Sequence, residues 1–200
     1  MSTRLQRITR RHLVGAAALA PLVALAGCGT DTSSRYQGGG GEGGYISGDG
    51  VSTEIPPQAR GEAIEFSGTT FGGEKFSTVD ARGNPLVVNV WYAACPPCRK
   101  EAPDLQKVHE EYADQGVRFI GVNIRDAAGP AQAFEKTHGV TYPSLPDADA
   151  SIMYALRGQV APNAVPSTLV LDAEGRVAAR ISGIADPSVL RAMIDRVLSE

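Results

Sequence analysis

The stretch Trp91-Tyr92-Ala93-Ala94-Cys95-Pro96-Pro97-Cys98-Arg99-Lys100-Glu101-Ala102-Pro103 holds two of the chain's three cysteines, as a C-x-x-C pair. Just upstream, Pro85 to Trp91 is an apolar, β-branched run of strand length. Downstream the pattern turns helical, with apolar groups at Ala102, Leu105, Val108 and Tyr112. Pro96 and Pro97 suit a first helical turn, where no backbone N–H is needed. Cys95 is therefore expected at the mouth of a helix that starts where a buried strand ends.

That position has a chemical consequence. Unpaired N–H groups and the dipole at a helix N-terminus favour a thiolate over a thiol. Arg99 and Lys100 add positive charge nearby, and the thiolate is the form that attacks disulfides. Cys98, one turn on, is placed to displace a mixed disulfide formed by Cys95. A zinc site would need two further ligands. Cys28 and His12 fall in the leader, which leaves only His109 and His138. A strand, C-x-x-C and helix in that order is the setting of redox thiols.

Residues 1–27 read as a signal peptide. Arg4, Arg7, Arg10 and Arg11 precede the apolar segment Leu13 to Ala26, 14 residues that are short for a bilayer span but suit a signal core. Leu25-Ala26-Gly27-Cys28 resembles the bacterial lipobox, in which the cysteine is lipidated; an ordinary signal peptide with a chance cysteine is the alternative. Thr9-Arg10-Arg11-His12-Leu13-Val14 resembles a twin-arginine export signal, although a merely basic leader looks much the same. Residues 28–60 are rich in Gly, Ser, Thr and Pro and read as a flexible tether, with a reach of roughly 30 Å.

The 200 residues carry a formal charge of −3, and removing the leader's four arginines takes this to −7. An acidic surface argues against a nucleic-acid partner. Residues 61–200 suffice for one domain with its own core. Export places that domain where disulfides persist. With Cys28 committed to lipid, Cys95–Cys98 is the one internal disulfide available, too short a loop to act as a staple.

Along the domain, Ile64 to Phe66 and Lys75 to Ser77 suggest a hairpin turning at Gly72-Gly73. Asn89 interrupts the central strand's apolar run, and a buried amide needs partners. A helix running to about Asp114, stopped by Gly116, is followed by a strand over 117–124 and a helix from Pro130 to Gly139. A short helix over 149–156, a strand over 168–172 and its hairpin partner over 176–181 come next. The last helix starts at Asp186-Pro187, with Leu190, Met193, Ile194, Val197 and Leu198 on one face. This order gives an α/β fold, a central mixed β-sheet flanked by helices, with an N-terminal hairpin.

Ala164-Val165-Pro166-Ser167-Thr168 stands just before a strand, where a proline is tolerated. Trp91 to Pro103 taken with Val165 to Thr168 resembles the thioredoxin superfamily. The nearer likeness is to its membrane-tethered TlpA/ResA-like thiol–disulfide oxidoreductases, which grade into the redoxin/peroxiredoxin group. The resemblance covers residues 61–200 and implies a thioredoxin-like fold. It implies that Pro166 is a cis-proline facing the cysteines and that Val165 offers backbone groups to an extended substrate. Cys95 would be the attacking thiol and Cys98 the resolving one. Glu101 matches the acidic residue that tunes the thiols in ResA-like proteins; a solvated glutamate in the first helical turn is the alternative. Trp91 would shield the site or simply pack. The sequence departs from the family at Ala94, where a second aromatic is usual, at Tyr92, and in Gln159 to Ala164, which lengthens the approach to Pro166.

The resulting expectation is a lipid-anchored enzyme on the outer face of the cell membrane, monomeric and without cofactor or metal. It would reduce disulfides of protein clients such as apocytochrome c, drawing on a membrane thiol reductant. A thiol peroxidase is the second reading, but no Pro-x-x-x-Thr-x-x-Cys setting precedes Cys95. A metal carrier for metalloprotein assembly is the third, although related carriers use C-x-x-x-C.

Overall fold

The computed structural model of the chain describes residues 46–47, 50–162 and 164–200. The expected leader, Cys28 and the Gly-rich run before residue 46 lie outside these residues. The elements follow in the order β1 (Ile46–Ser47), β2 (Gly50–Glu54), β3 (Ser67–Thr69), β4 (Lys75–Ser77), β5 (Leu86–Trp91) and α1 (Pro96–Tyr112). Next come β6 (Arg118–Asn123), α2 (Ala128–His138), β7 (Ser144–Pro146), α3 (Ser151–Ala155), β8 (Ser167–Leu171), β9 (Val177–Gly183) and α4 (Pro187–Leu198).

The main sheet runs β1-β2-β9-β8-β5-β6-β7. β5, β6 and β7 are parallel, and β8 joins β5 antiparallel, so the sheet is mixed as expected. β5 lies at its centre with every residue buried, which is why it reads as a nearly unbroken apolar run. The two-residue period divides its side chains. Val87 joins the layer of α1 and α4 with Leu105, Val108, Leu190 and Ile194. Leu86, Val88 and Val90 join the opposite layer with Ile120, Leu145, Ile152 and Leu169. Asn89 and Trp91 share Val87's face, so both are delivered to the side where α1 packs.

The helices end where their cap residues allow. Asp186 accepts the N–H groups of Ser188 and Val189 at the start of α4. After α1, Gly116 closes the last turn at φ 81°, a conformation that a Cβ would strain.

Three features differ from the sequence expectation. The tether does not run to residue 60: β2 pairs antiparallel with β9 along its whole length, Gly50↔Gly183 to Glu54↔Ala179. Composition concealed this, because the strand borrows its ladder from β9 and buries little apolar surface of its own. Second, the hairpin's first strand is 67–69 rather than 64–66. Ile64 instead donates to the Gly175 carbonyl, and Ala63 bridges Arg176, which holds that segment on the turn between β8 and β9. Third, β7 went unforeseen. Three residues ending in proline at a sheet edge are too few to show alternation.

Arg60 fastens the segment that follows β2. Its side chain is 2% exposed and contacts Asp172 at 3.0 Å. It also donates to the Ile55 carbonyl at 3.0 Å and to Glu200 at 2.6 Å, so one guanidinium joins the domain's entry to its last residue. Truncating it leaves Asp172 buried with Arg176 as its remaining cation. Arg60→Ala is expected to lower the unfolding free energy by about 2–4 kcal/mol, below the full cost for a sealed pair because Glu200 is partly solvated. Urea unfolding with an unchanged m-value checks this.

Candidate functional site

The site stands at the carboxyl end of β5. Cys95 has extended backbone (φ −76°, ψ 112°) and is the N-cap of α1, with Pro96 and Pro97 opening the helix. The Cys95 Sγ accepts the backbone N–H of Cys98 at 3.2 Å. The two cysteines form a disulfide, with Cα atoms 5.3 Å apart. The expected juxtaposition is therefore present, in its oxidised form. On reduction, that same N–H and the end of a 17-residue helix stabilise negative charge on the Cys95 sulfur.

Exposure differs from the expectation for a reactive cysteine. Cys95 and Cys98 are each 1% exposed and share a cluster with Trp91, Ala102, Ala131 and Phe134. The side chains packed on that cluster include Phe71, Tyr92 and Val165, all from loops and all only partly buried.

Trp91 packs rather than projects. Its ring stacks on Phe134 with centroids 4.4 Å apart, and it is 3% exposed. Gly121 makes room for it: a Cβ there would sit 2.7 Å from the indole Nε1 and closer still to Ser144 Oγ. The His138 ring lies 4.5 Å from that of Phe134, tilted at 49°.

Glu101 is buried, not solvated, at 2% exposure. Three residues after Cys98, it lies one turn along the same helix face, a spacing of about 5–6 Å between Cβ atoms. Its Oε1 accepts from Asn89 Nδ2 at 2.9 Å, and its Oε2 accepts the Ala185 N–H at 2.9 Å. Burial pushes the carboxyl up to about 7, against the two donors, which favour the anion. Asn89 also reaches Thr168 Oγ1 at 3.2 Å. Thr168 stands two residues beyond Pro166, and the Val165–Pro166 peptide is cis. One amide thus ties the acid on α1 to the strand that carries the cis-proline.

Sequence reading named the cysteines, Glu101, Trp91, Val165 and Pro166 as candidates, and the structure places all six around one end of β5. It missed Thr168 and the pair that moors the loop before Cys95. Asp126 accepts the Ala93 N–H at 2.6 Å and the Asn123 amide at 2.9 Å. The Asn123–Asp126 bond is local, three residues apart, but the Asp126–Ala93 bond spans 33 residues and no sequence pattern marks it.

Residues 59–180 match the AhpC/TSA family. A thioredoxin-like protein, YneN, of Bacillus subtilis is 34% identical over 130 residues, 61% of this chain and 70% of that protein. The thiol-disulfide oxidoreductase ResA of the same organism is 28% identical over 118 residues, so this chain spans 64% of its length. The thiol:disulfide interchange protein DsbE of Pseudomonas aeruginosa is 29% identical over 143 residues, 70% of this chain and 75% of that protein. Among solved structures, a secreted thiol-disulfide isomerase from Corynebacterium glutamicum superposes with a TM-score of 0.70 at 28% identity. It covers 80% of this chain and 100% of that one. A DsbF homologue from Corynebacterium diphtheriae gives 0.65 at 32%, covering 78% and 99%. The fold is thioredoxin-like.

The raised Glu101 acid has a stability signature. Because the folded state holds this proton more tightly than the unfolded state, stability is full below about pH 4.5. It then falls by about 3 kcal/mol as pH rises through 7. Glu101→Gln is expected to remove that fall, so that in chemical denaturation the wild type loses stability between pH 5 and pH 8 and the variant does not. It also removes the step near pH 7 from the exchange rate, read by stopped flow.

Proposed function

The chain belongs to the AhpC/TSA family, and from that premise we propose that it is a membrane-tethered, extracytoplasmic thiol–disulfide oxidoreductase that reduces protein disulfides through Cys95 and Cys98. The observation that carries this reading is the Cys95–Cys98 disulfide on the first turn of α1, with a buried acid one turn further on.

In the reduced enzyme, the Cys95 thiolate attacks one sulfur of a client disulfide. A mixed disulfide forms, and the client's other sulfur leaves as a thiolate. Cys98 then gives up its proton and attacks the Cys95 Sγ. The client departs as a dithiol, and the enzyme is left with the disulfide seen here. Glu101, half-ionised near neutral pH, is matched to take the Cys98 proton in this second step. Two electrons from a membrane thiol reductant restore the dithiol.

The leader, the lipobox-like Leu25 to Cys28 and the Gly-rich run support export and a lipid anchor at Cys28. Among the described residues no helix is long and apolar enough to cross a membrane, so attachment in this reading rests on that lipid. Likeness to the ResA-like group supports haem-binding cysteine pairs of cytochrome c precursors as clients. The chain acts as a tethered monomer.

Cys98→Ser removes the resolving sulfur, so mixed disulfides between Cys95 and exported proteins should accumulate on non-reducing gels and vanish with Cys95→Ser. A folded Cys98→Ser protein that traps nothing would overturn the mechanism. Fast oxidation of the dithiol by hydrogen peroxide, ahead of any protein disulfide, would move the assignment to a peroxidase.

A further inference from the structure

Each cysteine is 1% exposed, so a client sulfur bonded to Cys95 must lie among the side chains that pack on the cysteine cluster. Of these, Ala93 offers only a methyl group, and Val140 packs on the layer of α1 and α4 as well. The Tyr92 ring is already stacked, with the Arg125 guanidinium 4.1 Å from its centre. Val165 and Phe71 remain, both partly buried. Ala94, next to Cys95, is exposed and adds no ring of its own.

Phe71 stands on the turn between β3 and β4, and that turn is fixed. The Thr70 N–H donates to the Glu74 carbonyl at 2.8 Å, and the Thr70 hydroxyl accepts the Glu74 N–H at 3.1 Å. Gly73 takes φ 89°, which its missing Cβ permits, and donates to the Thr70 carbonyl at 2.9 Å. The Phe71 backbone is held from both sides. Its N–H donates to the Ser144 carbonyl of β7 at 2.9 Å, and its carbonyl accepts from Gln132 Nε2 of α2 at 2.9 Å. Ala131 and Phe134, on the same helix as Gln132, belong to the cysteine cluster. Sheet order then sets the two side chains apart. β8, which follows the Val165–Pro166 peptide, borders β5 on one side, and β7 lies on the other, beyond β6. The cysteines at the end of β5 therefore stand between Val165 and Phe71.

We propose that Phe71 is a specificity-determining residue: its ring forms the client-facing wall on the β7 side of the cysteines, opposite Val165, and receives an aromatic side chain that neighbours the client's reactive cysteine. This rests on the reading of the site as a reductant of protein disulfides, and it adds what the client must carry. A half-buried ring with a fixed backbone loses little freedom on contact, and pairing it with a second ring adds to the apolar area removed from water. A polar neighbour of the client cysteine gains neither.

The test uses the reduced full chain and two short peptides, each with a single cysteine capped as a mixed disulfide with 2-mercaptoethanol. One carries Phe on both sides of its cysteine, the other Ser. Reaction yields the peptide thiol, free 2-mercaptoethanol and the Cys95–Cys98 disulfide. Trp91, the chain's single tryptophan, packs in the cysteine cluster and reports oxidation by stopped-flow fluorescence. The Phe-flanked peptide should react at least about fivefold faster than the Ser-flanked one, a difference of roughly 1 kcal/mol. Phe71→Ala should bring that ratio below about twofold, and Phe71→Leu should leave it in between. The ratio is taken within one protein sample, so a misfolded fraction of a variant does not alter it. Equal rates for the two peptides with the unaltered chain would overturn the role of Phe71 and leave the oxidoreductase standing. So would a preference that Phe71→Ala leaves intact, including one in which both peptides slow or quicken by the same factor. An unaltered chain that reduces neither peptide nor hydroxyethyl disulfide would instead remove the functional reading beneath it.

Discussion

Every other feature of the site hangs on the junction at Cys95, where β5 stops and α1 starts. The strand is buried on both faces and fixes the position of the sulfur, and the helix supplies the unpaired N–H that faces it. Two prolines then occupy positions where a donor would be wasted. Negative charge on a sulfur held there is favoured by that N–H and by the helix N-terminus. Moving it one residue either way would lose the cap, the burial or both.

The second half of the design is an acid kept away from water. Among the described residues Glu101 makes no ion pair. Its two oxygens meet an amide and a backbone N–H, both of which hold the carboxylate in place without neutralising it. Burial lifts its titration into the neutral range, and the donors restrain the lift. Because Asn89 bonds Glu101 and Thr168 together, the helix bearing the thiols and the strand after the cis-proline share one buried contact. A group that changes charge in the core is expensive, so its neighbours must be exact in type: an aliphatic residue at 89 would leave Oε1 unpaired.

In the oxidised state the reactive bond is closed over. The two cysteines share a cluster with Trp91, Ala102, Ala131 and Phe134, and Phe71, Tyr92 and Val165 pack against it.

Much of this was legible from residues alone. Local rules sufficed wherever the cause was local: the apolar run of β5, the prolines after Cys95, the glycine ending α1, the apolar stripe and Asp186 cap of α4. The resemblance carried by Trp91 to Pro103 and Val165 to Thr168 supplied the pairing of cysteines with proline. Tertiary structure decided what depends on a neighbour brought from far along the chain. The resemblance marks Glu101 as the acid near the thiols, but its burial and its two partners come only from β5 and the Ala185 loop. Residues 50–54 read as tether until β9 offers its edge, and Arg60 reads as the tether's last residue until Asp172 and Glu200 meet it. Periodicity and caps act over one turn or one strand, so sequence reveals them. Burial and hydrogen-bond partners at a separation of a hundred residues are properties of the packed chain, and only its packing fixes them.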